Sequence, residues 1–312
     1  MTRRLQLLSA EREGEGKRAL VTGLAGFTGH YVAQELRAAG YEVIGTAMPG
    51  HGASGPDGAM VEVDLTDRAS VAAAVQQVQP DVVVHLAAIA FVAHADVEQI
   101  YRVNVLGTRN LLEALAAAPK KPEAVLVASS ANIYGNTSVE VIHEDVPPAP
   151  ANDYAVSKLA MEFMVRLWMD KLPIIMVRPF NYTGVGQHEN FLLPKIVSHF
   201  RRKAADIELG NLHVWRDFSD VRMVAASYRA LLAARPASQV FNISSGKAYS
   251  LGEAIAMMEA IAGYRINVHV NPAFVRANEV ARLTGDNRRL ASVAGAIEPL
   301  PLEQTLRWMY EA

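Results

Sequence analysis

Three side chains of this sequence have the types and spacing to move a proton at an oxygen atom. Ser130 lies in Ser129-Ser130-Ala131-Asn132-Ile133-Tyr134-Gly135, and Tyr154 and Lys158 lie in Asp153-Tyr154-Ala155-Val156-Ser157-Lys158. Four residues apart on a helix, Tyr154 and Lys158 share a face, and the ammonium can approach the phenol. A free tyrosine has a pKa of about 10, and a nearby positive charge favours the phenolate. The expectation is a Tyr154 phenol of lowered pKa that gives and takes a proton, with Ser130 hydrogen-bonding the same substrate oxygen. An isolated Tyr-x-x-x-Lys pair also suits a plain solvated helix face, so the elements that would position it decide between the two readings.

Those elements begin upstream. Ala19-Leu20-Val21-Thr22 is a short apolar run, followed by Gly23-Leu24-Ala25-Gly26-Phe27-Thr28-Gly29 and a helical pattern over 30–39. Strand, glycine loop and helix is the order that receives a dinucleotide: the glycines permit a tight turn and close backbone approach, and the helix N-terminus takes the pyrophosphate. Further strands are expected over 42–46, 60–63 (running into Asp64), 82–88, 125–129 and 173–177, with helices over 67–77, 96–118 and 153–170. This alternation predicts an α/β fold with a doubly wound parallel Rossmann sheet. The unbroken run Val82-Val83-Val84 before His85-Leu86-Ala87-Ala88 reads as a strand covered on both faces. Ser130 then stands at a strand's C-terminal end, where ligands bind in such sheets. Past Val177 the pattern is less regular, with loops suited to a smaller C-terminal α/β substrate-binding cap. The expected division is a dinucleotide-binding domain over 17–177 with a return near 217–243, and a substrate-binding domain over 178–216 and 244–312.

Composition narrows the functional classes. With 312 residues, 51% hydrophobic and 20% charged, the chain can bury a full core. The absence of cysteine removes disulfides, thiolate nucleophiles and cysteine-held zinc, and the nine histidines lack metal-ligand spacing, so no metal is expected. The net charge is −2 and the longest basic run is Arg201-Arg202-Lys203, which gives no reason to expect a nucleic-acid partner. No apolar run approaches the ~20 residues that span a bilayer. Residues 1–16 read as a loose polar extension without the apolar centre of a signal peptide. The expected compartment is the cytoplasm.

In sequence order, Gly23-x-x-Gly26-x-x-Gly29, Asp64, His85-Leu86-Ala87-Ala88, Asn104-Val105-x-Gly107-Thr108, Ser130, Tyr154 and Lys158 resemble the extended short-chain dehydrogenase/reductases, the nucleotide-sugar epimerase and dehydratase superfamily. The resemblance covers nearly the whole chain. It implies that Ser130 and Tyr154 bind the sugar's reacting oxygen, that Lys158 holds the nicotinamide ribose and tunes Tyr154, and that Asp64 contacts adenine. The cofactor contacts it implies are Gly23, Gly26, Phe27, Thr28, Gly29, Asp64, Leu65, Leu86, Ala87, Ala88, Asn104, Tyr154 and Lys158.

Taken alone, Arg216 and Arg276 read as surface ion-pair residues. Yet Leu209-Gly210-Asn211-Leu212 before Trp215-Arg216-Asp217-Phe218, and Arg276-Ala277-Asn278-Glu279-Val280 before Leu283-Thr284-Gly285-Asp286, look like the GDP-mannose 4,6-dehydratases and the related GDP-6-deoxy-4-keto-mannose reductases. By that likeness Asn181 and Arg216 would hold the diphosphate, as a guanidinium fork suits paired oxygens. Arg276 would take the nucleotide end and Glu279 the guanosine, with Asn190 and Lys195 completing the substrate set. Ala277 stands where those relatives usually have proline.

Asn132 separates the reaction types. The dehydratases of the family carry a glutamate two residues before the tyrosine of the Ile-Tyr-Gly, and an amide neither takes nor gives a proton near neutral pH. The reading is therefore NAD(P)H-dependent reduction at C4 of a nucleotide-diphosphate 4-keto-6-deoxyhexose, GDP-4-keto-6-deoxymannose above others. A UDP- or dTDP-sugar 4-epimerase or 4-ketoreductase is the alternative enzyme, and a non-catalytic NAD(P)-binding sensor the alternative outside enzymes. No carboxylate follows the second strand in Thr46-Ala47-Met48-Pro49, which leans the cofactor to NADPH with NADH accepted. A homodimer is expected through the helices over 96–118 and 153–170, where Leu111, Leu112, Leu115, Met161, Met164 and Trp168 could form a helical interface, and core packing within one subunit explains the same residues as well.

Overall fold

The computed structural model describes residues 13–50, 54–55, 58–90, 96–274 and 282–312. The chain opens with β1 (Arg18–Thr22), α1 (Phe27–Ala38), β2 (Glu42–Ala47), the two-residue β3 (Ser54–Gly55), β4 (Gly58–Glu62), α2 (Arg68–Val78) and β5 (Val82–His85). A continuous helical segment follows: α3 (Val97–Tyr101), a π-helical turn (Arg102–Gly107) and α4 (Thr108–Ala117). Next come β6 (Ala124–Ala128), a 3-10 turn (Ala131–Tyr134), β7 (Val141–Ile142), α5 (Asp153–Arg166) and β8 (Ile174–Pro179). The remainder is β9 (Asn181–Thr183), α6 (Leu192–Arg201), β10 (Asp206–Leu209), β11 (Trp215–Asp220), α7 (Val221–Ala234), β12 (Gln239–Ile243), β13 (Ala248–Ser250), α8 (Leu251–Ala262), β14 (Asn267–Val270), β15 (Arg282–Gly285), α9 (Arg288–Ala294) and α10 (Leu302–Glu311).

The main sheet runs β12-β8-β6-β5-β1-β2-β4-β3, with only β3 antiparallel. Alternate residues of its central strands face opposite layers. Val21, Val84, Leu126 and Val177 pack with Val32 and Leu36 of α1 and Val224 and Leu231 of α7. Leu20, Val83, Val125 and Met176 pack with Val71 and Val75 of α2, Leu111 and Leu115 of α4, and Met161 and Val165 of α5. Each such side chain contributes about 1.5–3 kcal/mol by leaving water. The expected doubly wound sheet is therefore present, and its strand order reverses between β1 and β5, where Thr22 lies opposite His85. In open α/β sheets ligands bind at the C-terminal ends of the strands beside this reversal.

A second sheet, β13-β11-β15-β7, stands beyond those ends, with β9 alongside β11. The two parts interlock more than the sequence division implied. β7 comes from within 17–177 and pairs with β15, while Leu290 of α9 returns to the core beneath α1 and α7. Residues 13–16 are not loose: Gly14 donates its N–H to the Ala39 carbonyl at 2.9 Å, and Glu13 pairs with Arg229 at 3.3 Å.

A buried polar cluster fixes the floor of the site. Arg178 at the end of β8 donates from Nε and Nη2 to the two carboxylate oxygens of Glu162 at 2.8 and 2.6 Å, and from Nη1 to Tyr134 Oη at 2.9 Å. Tyr134 in turn donates to Asn242 Oδ1 at 2.8 Å. The 3-10 turn, α5, β8 and the end of β12 are thereby tied together.

Of the two readings of the apolar residues on these helices, core packing holds. Leu111, Leu112, Leu115 and Met161 are at most 2% exposed and belong to the core, and Met164 and Trp168 pack against it half-buried. The exposed large apolar residues of the same stretches are Val97, Leu106, Val156, Phe163 and Leu167. An apolar stripe read from sequence serves a core and an interface alike, and here the sheet claims it. Among the described residues, no helix is long and apolar enough to cross a membrane.

Candidate active site

The loop between β1 and α1 has the form an anionic ligand requires. Gly23 adopts φ +73°, and a Cβ there would lie 2.9 Å from the Ala87 nitrogen. A Cβ on Gly29 would strike the carbonyl oxygens of Gly23 and Leu24. Glycine is therefore needed at both positions for the turn and for its close approach to the end of β5. No side chain caps the N-terminus of α1, and its first turn holds no acidic residue. Its N–H groups suit an anion such as a pyrophosphate. A cavity of about 490 Å³ adjoins the loop, lined by Gly23, Thr46, Met48, Asp64, Leu65 and Ala87 among others. Asp64 closes its own turn by accepting from the Thr66 N–H and hydroxyl, both at 2.8 Å. These features fit a dinucleotide held along the reversal of the sheet.

Leu86 and Ala87 each donate a backbone N–H to Thr22 Oγ1 at 3.2 Å, which sets the segment including Ala88 against the glycine loop. Asn104, expected to touch the cofactor, has its amide committed elsewhere. Its Oδ1 accepts from the Ile89 N–H at 2.9 Å, and its Nδ2 donates to the Ile89 carbonyl and to Ser157 Oγ at 3.2 and 3.0 Å. Both amide hydrogens are used, so the side chain holds the 86–89 segment to α5.

Ser130, Tyr154 and Lys158 come together at the C-terminal end of β6. Ser130 is the N-cap of the 3-10 turn, and its Oγ accepts from both the backbone N–H and the side-chain amide of Asn132 at 3.2 and 3.1 Å. With both lone pairs occupied, its one hydroxyl hydrogen is left to donate, and the Tyr154 phenol is the partner at hand. Asn152, the N-cap of α5, accepts from the Ala155 N–H, which fixes the start of the helix at Asp153. Lys158 Nζ donates to the Ala128 carbonyl at 2.8 Å.

The electrostatics differ from the expected phenolate. Burial pushes the Tyr154 phenol up to about 12, with a hydrogen bond from Ser130 working the other way and nearby Tyr182 adding to the rise. Burial also pushes Lys158 down to about 8, partly countered by Glu162. Desolvation penalises the charged form of each group and outweighs the attraction expected from their spacing. Tyr154 is thus a protonated donor at neutral pH.

Tyr182 was not singled out from sequence. Its hydroxyl shares a 2.7 Å hydrogen bond with Thr28 Oγ1, and its ring stacks on Phe27 at 6.0 Å between centroids, 11° from parallel. Through it β9 reaches the glycine loop. Nothing local marks it beyond its place after Asn181.

On the cap side, Asn181 donates to the Asp217 carbonyl at 3.4 Å, and Arg216 on β11 donates to its neighbour Trp215's carbonyl at 2.8 Å. Lys195 on α6 donates to the Glu208 carbonyl at 2.8 Å and stands 4.8 Å from the Phe274 ring centre. Asn190 is exposed, with its N–H on His188 Nδ1 at 3.1 Å. Asn181 and Arg216 lie on paired strands, while Lys195 on α6 meets Glu208 and Phe274 rather than either of them. Arg276 and Glu279 lie outside the described residues.

Comparisons with known proteins agree with this fold. The family model described as the NAD dependent epimerase/dehydratase family matches residues 19–244. The GDP-6-deoxy-D-talose 4-dehydrogenase of Aggregatibacter actinomycetemcomitans is 35% identical over 88% of this chain and 90% of its own. The GDP-6-deoxy-D-mannose reductase of Pseudomonas aeruginosa is 32% identical over 93% and 95%. Among solved structures, one from Burkholderia cenocepacia is 53% identical, with a TM-score of 0.91, over 95% of this chain and 98% of that one. RMD from Pseudomonas aeruginosa, solved in complex with NADPH, is 31% identical with a TM-score of 0.82 over the same shares.

Proposed function

The chain belongs to the NAD dependent epimerase/dehydratase family, and from that premise we propose that it reduces GDP-4-keto-6-deoxymannose at C4 with NADPH. It is an oxidoreductase-type enzyme with a nicotinamide cofactor, acting at C4 of a nucleotide sugar as a reductase or epimerase. The observation carrying the finer reading is Asn132. Its amide donates to Ser130 Oγ at 3.1 Å, so the position where a dehydratase needs an acid and base holds a group that only orients the serine.

The roles we assign follow from the side chains. The glycine loop with Phe27 and Thr28, together with Asp64, Leu65 and the 86–88 segment, would hold the cofactor, which supplies the hydride when bound. Ser130 would hold the keto oxygen by its hydroxyl hydrogen while Tyr154 delivers a proton to that oxygen. Lys158 would contribute its positive charge to the same centre. Asn181, Arg216, Asn190 and Lys195 would receive the nucleotide diphosphate, with Arg276 and Glu279 at the base. The lean to NADPH rests on β2 ending without a carboxylate. The chain is taken to act in the cytoplasm, in deoxysugar biosynthesis.

We also infer a homodimer, now through Leu106, Val156, Phe163 and Leu167. Sedimentation at micromolar concentration should give a dimer for the natural chain and a monomer for Phe163→Asp; a monomeric natural chain ends this inference. Substrate choice is tested by offering 4-keto-6-deoxyhexoses on GDP, UDP and dTDP in parallel. Faster turnover of the UDP or dTDP forms would move the proposal away from guanosine. Loss of water from GDP-mannose would overturn the role given to Asn132.

A further inference from the structure

His85 ends β5 at the reversal of the sheet, is 3% exposed, and is hydrogen-bonded through both ring nitrogens: Nδ1 to Thr22 Oγ1 at 2.7 Å and Nε2 to Thr108 Oγ1 at 2.8 Å. The partners determine which nitrogen carries the hydrogen. Thr22 Oγ1 already accepts from the N–H groups of Leu86 and Ala87. A hydroxyl has two acceptor sites and one hydrogen, so Thr22 has only its hydrogen left to give, and Nδ1 accepts it. Thr108 spends its single hydrogen on the Asn104 carbonyl at 2.7 Å, so Thr108 Oγ1 accepts from Nε2–H. A doubly protonated ring would set Nδ1–H against a hydroxyl with no acceptor site left. Burial and the nearby Lys158 charge act the same way, pushing the imidazole down to about 3.

The chain of bonds continues beyond Thr108. The π-helical turn places Asn104 so that its carbonyl receives Thr108 while its side chain reaches Ile89 and Ser157. Ser157 then donates to the main-chain carbonyl of Tyr154 at 2.7 Å. One directed series therefore runs from the residue before the glycine loop to the backbone of the proton donor: Thr22, His85, Thr108, Asn104, Ser157, Tyr154. Insertions of this π type frequently mark functional sites, and a fully satisfied buried network rigidifies what it connects.

We propose that His85 is a positioning residue, held as the neutral Nε2–H tautomer, that keeps the glycine loop and the Tyr154 helix in the register at which cofactor and proton donor meet. The inference uses the cofactor role of the proposed function but none of its sugar specificity. His85 touches no substrate. It acts through Thr22 on the loop and through Thr108 and Asn104 on α5.

Nitrogen-15 NMR of histidine-labelled protein tests the tautomer without any substrate. One imidazole, absent from the spectrum of His85→Gln, should show the neutral Nε2–H pattern and no titration between about pH 5.5 and 8.5. A His85 signal that titrates in that range, or that reports Nδ1–H, overturns the proposal. Thr108→Val and Thr108→Ser test the positioning role while leaving the imidazole in place. Thr108→Val should weaken NADPH binding and lower kcat on the order of 10- to 100-fold with little change in KM for the sugar, and Thr108→Ser should restore both. If Thr108→Val lowers only Tm, with NADPH affinity and kcat unmoved, His85 is structural and the proposal fails. If the natural chain turns over no nucleotide sugar, the functional reading fails, and the tautomer and NADPH-binding results still decide this one.

Discussion

Lys158 donates from Nζ to the main-chain carbonyl of Ala128 across 2.8 Å. That contact pins α5 to the last residue of β6, two positions before Ser130. The lysine and the serine are thus held by one strand end, with Tyr154 one turn before the lysine on its own helix. On the proposed mechanism the attachment also separates roles: Lys158 would bring its charge near the centre, and Tyr154 would carry the transferable proton.

Replacing that proton donor should therefore affect the chemical step and spare the cofactor. Tyr154→Phe is expected to lower kcat on the order of 10² to 10⁴, with NADPH affinity, read by fluorescence, close to that of the natural chain. Turnover near the natural rate would remove Tyr154 from the role of donor.

The pH dependence has a definite sign. Burial holds the folded Lys158 near 8, below its ordinary 10.5. Its charge is therefore lost as pH rises through about 8, and kcat/KM should fall on that alkaline side. The stability contribution runs oppositely. Below about 8 the buried ammonium is a cost, and between about 8 and 10.5 the folded state sheds a proton that the unfolded state keeps, so the cost is relieved. Tyr154, raised to about 12, stays protonated throughout this window. Thermal scans should show the natural chain gaining on Lys158→Met as pH rises from about 8 to 10 while activity declines. Activity level up to about pH 10 would contradict the assignment.

The glycine loop gives a steric prediction. A methyl group on Gly29 would meet backbone oxygens of Gly23 and Leu24, neither of which can rotate away. Gly29→Ala should therefore displace the loop and weaken NADPH binding by at least about tenfold, since backbone approach and the free α1 N-terminus are what the loop offers. Binding as tight as in the natural chain, measured by fluorescence titration, would show that the loop does not carry the pyrophosphate.

Beneath the site, the Arg178–Glu162 pair is almost wholly buried. Arg178→Met leaves the Glu162 carboxylate without its counter-charge and should cost about 3–5 kcal/mol in urea unfolding. Adding Glu162→Leu should recover much of that loss, because two apolar groups need no partner. A single-variant cost below about 1 kcal/mol would mean that water or another group reaches Glu162.

The legible parts of this protein were those encoded locally. The spacing of Gly23, Gly26 and Gly29 after an apolar run fixed the loop, and the Val82-Val83-Val84 run required a strand covered on both sides. The illegible parts depend on neighbours distant in sequence. Residues 102–107 read as ordinary helix, and only packing against α5 and the 86–89 segment reveals the π-helical turn that commits Asn104. The two-residue β7 gains its meaning from pairing with β15. The spacing of Tyr154 and Lys158 revealed their proximity but not their burial, which reversed the expected direction of the phenol. Tyr182 had no motif around it, and its bond to Thr28 is a tertiary fact.

Net reduction of a keto sugar is read by supplying GDP-4-keto-6-deoxymannose and NADPH together and following cofactor absorbance alongside the sugar product. About one equivalent of NADPH should be consumed per keto sugar, with formation of a GDP-6-deoxyhexose, because no step returns the hydride. An epimerase would change the sugar with no net loss of NADPH. Oxidation of NADPH by none of the nucleotide sugars offered would rule out a reductase.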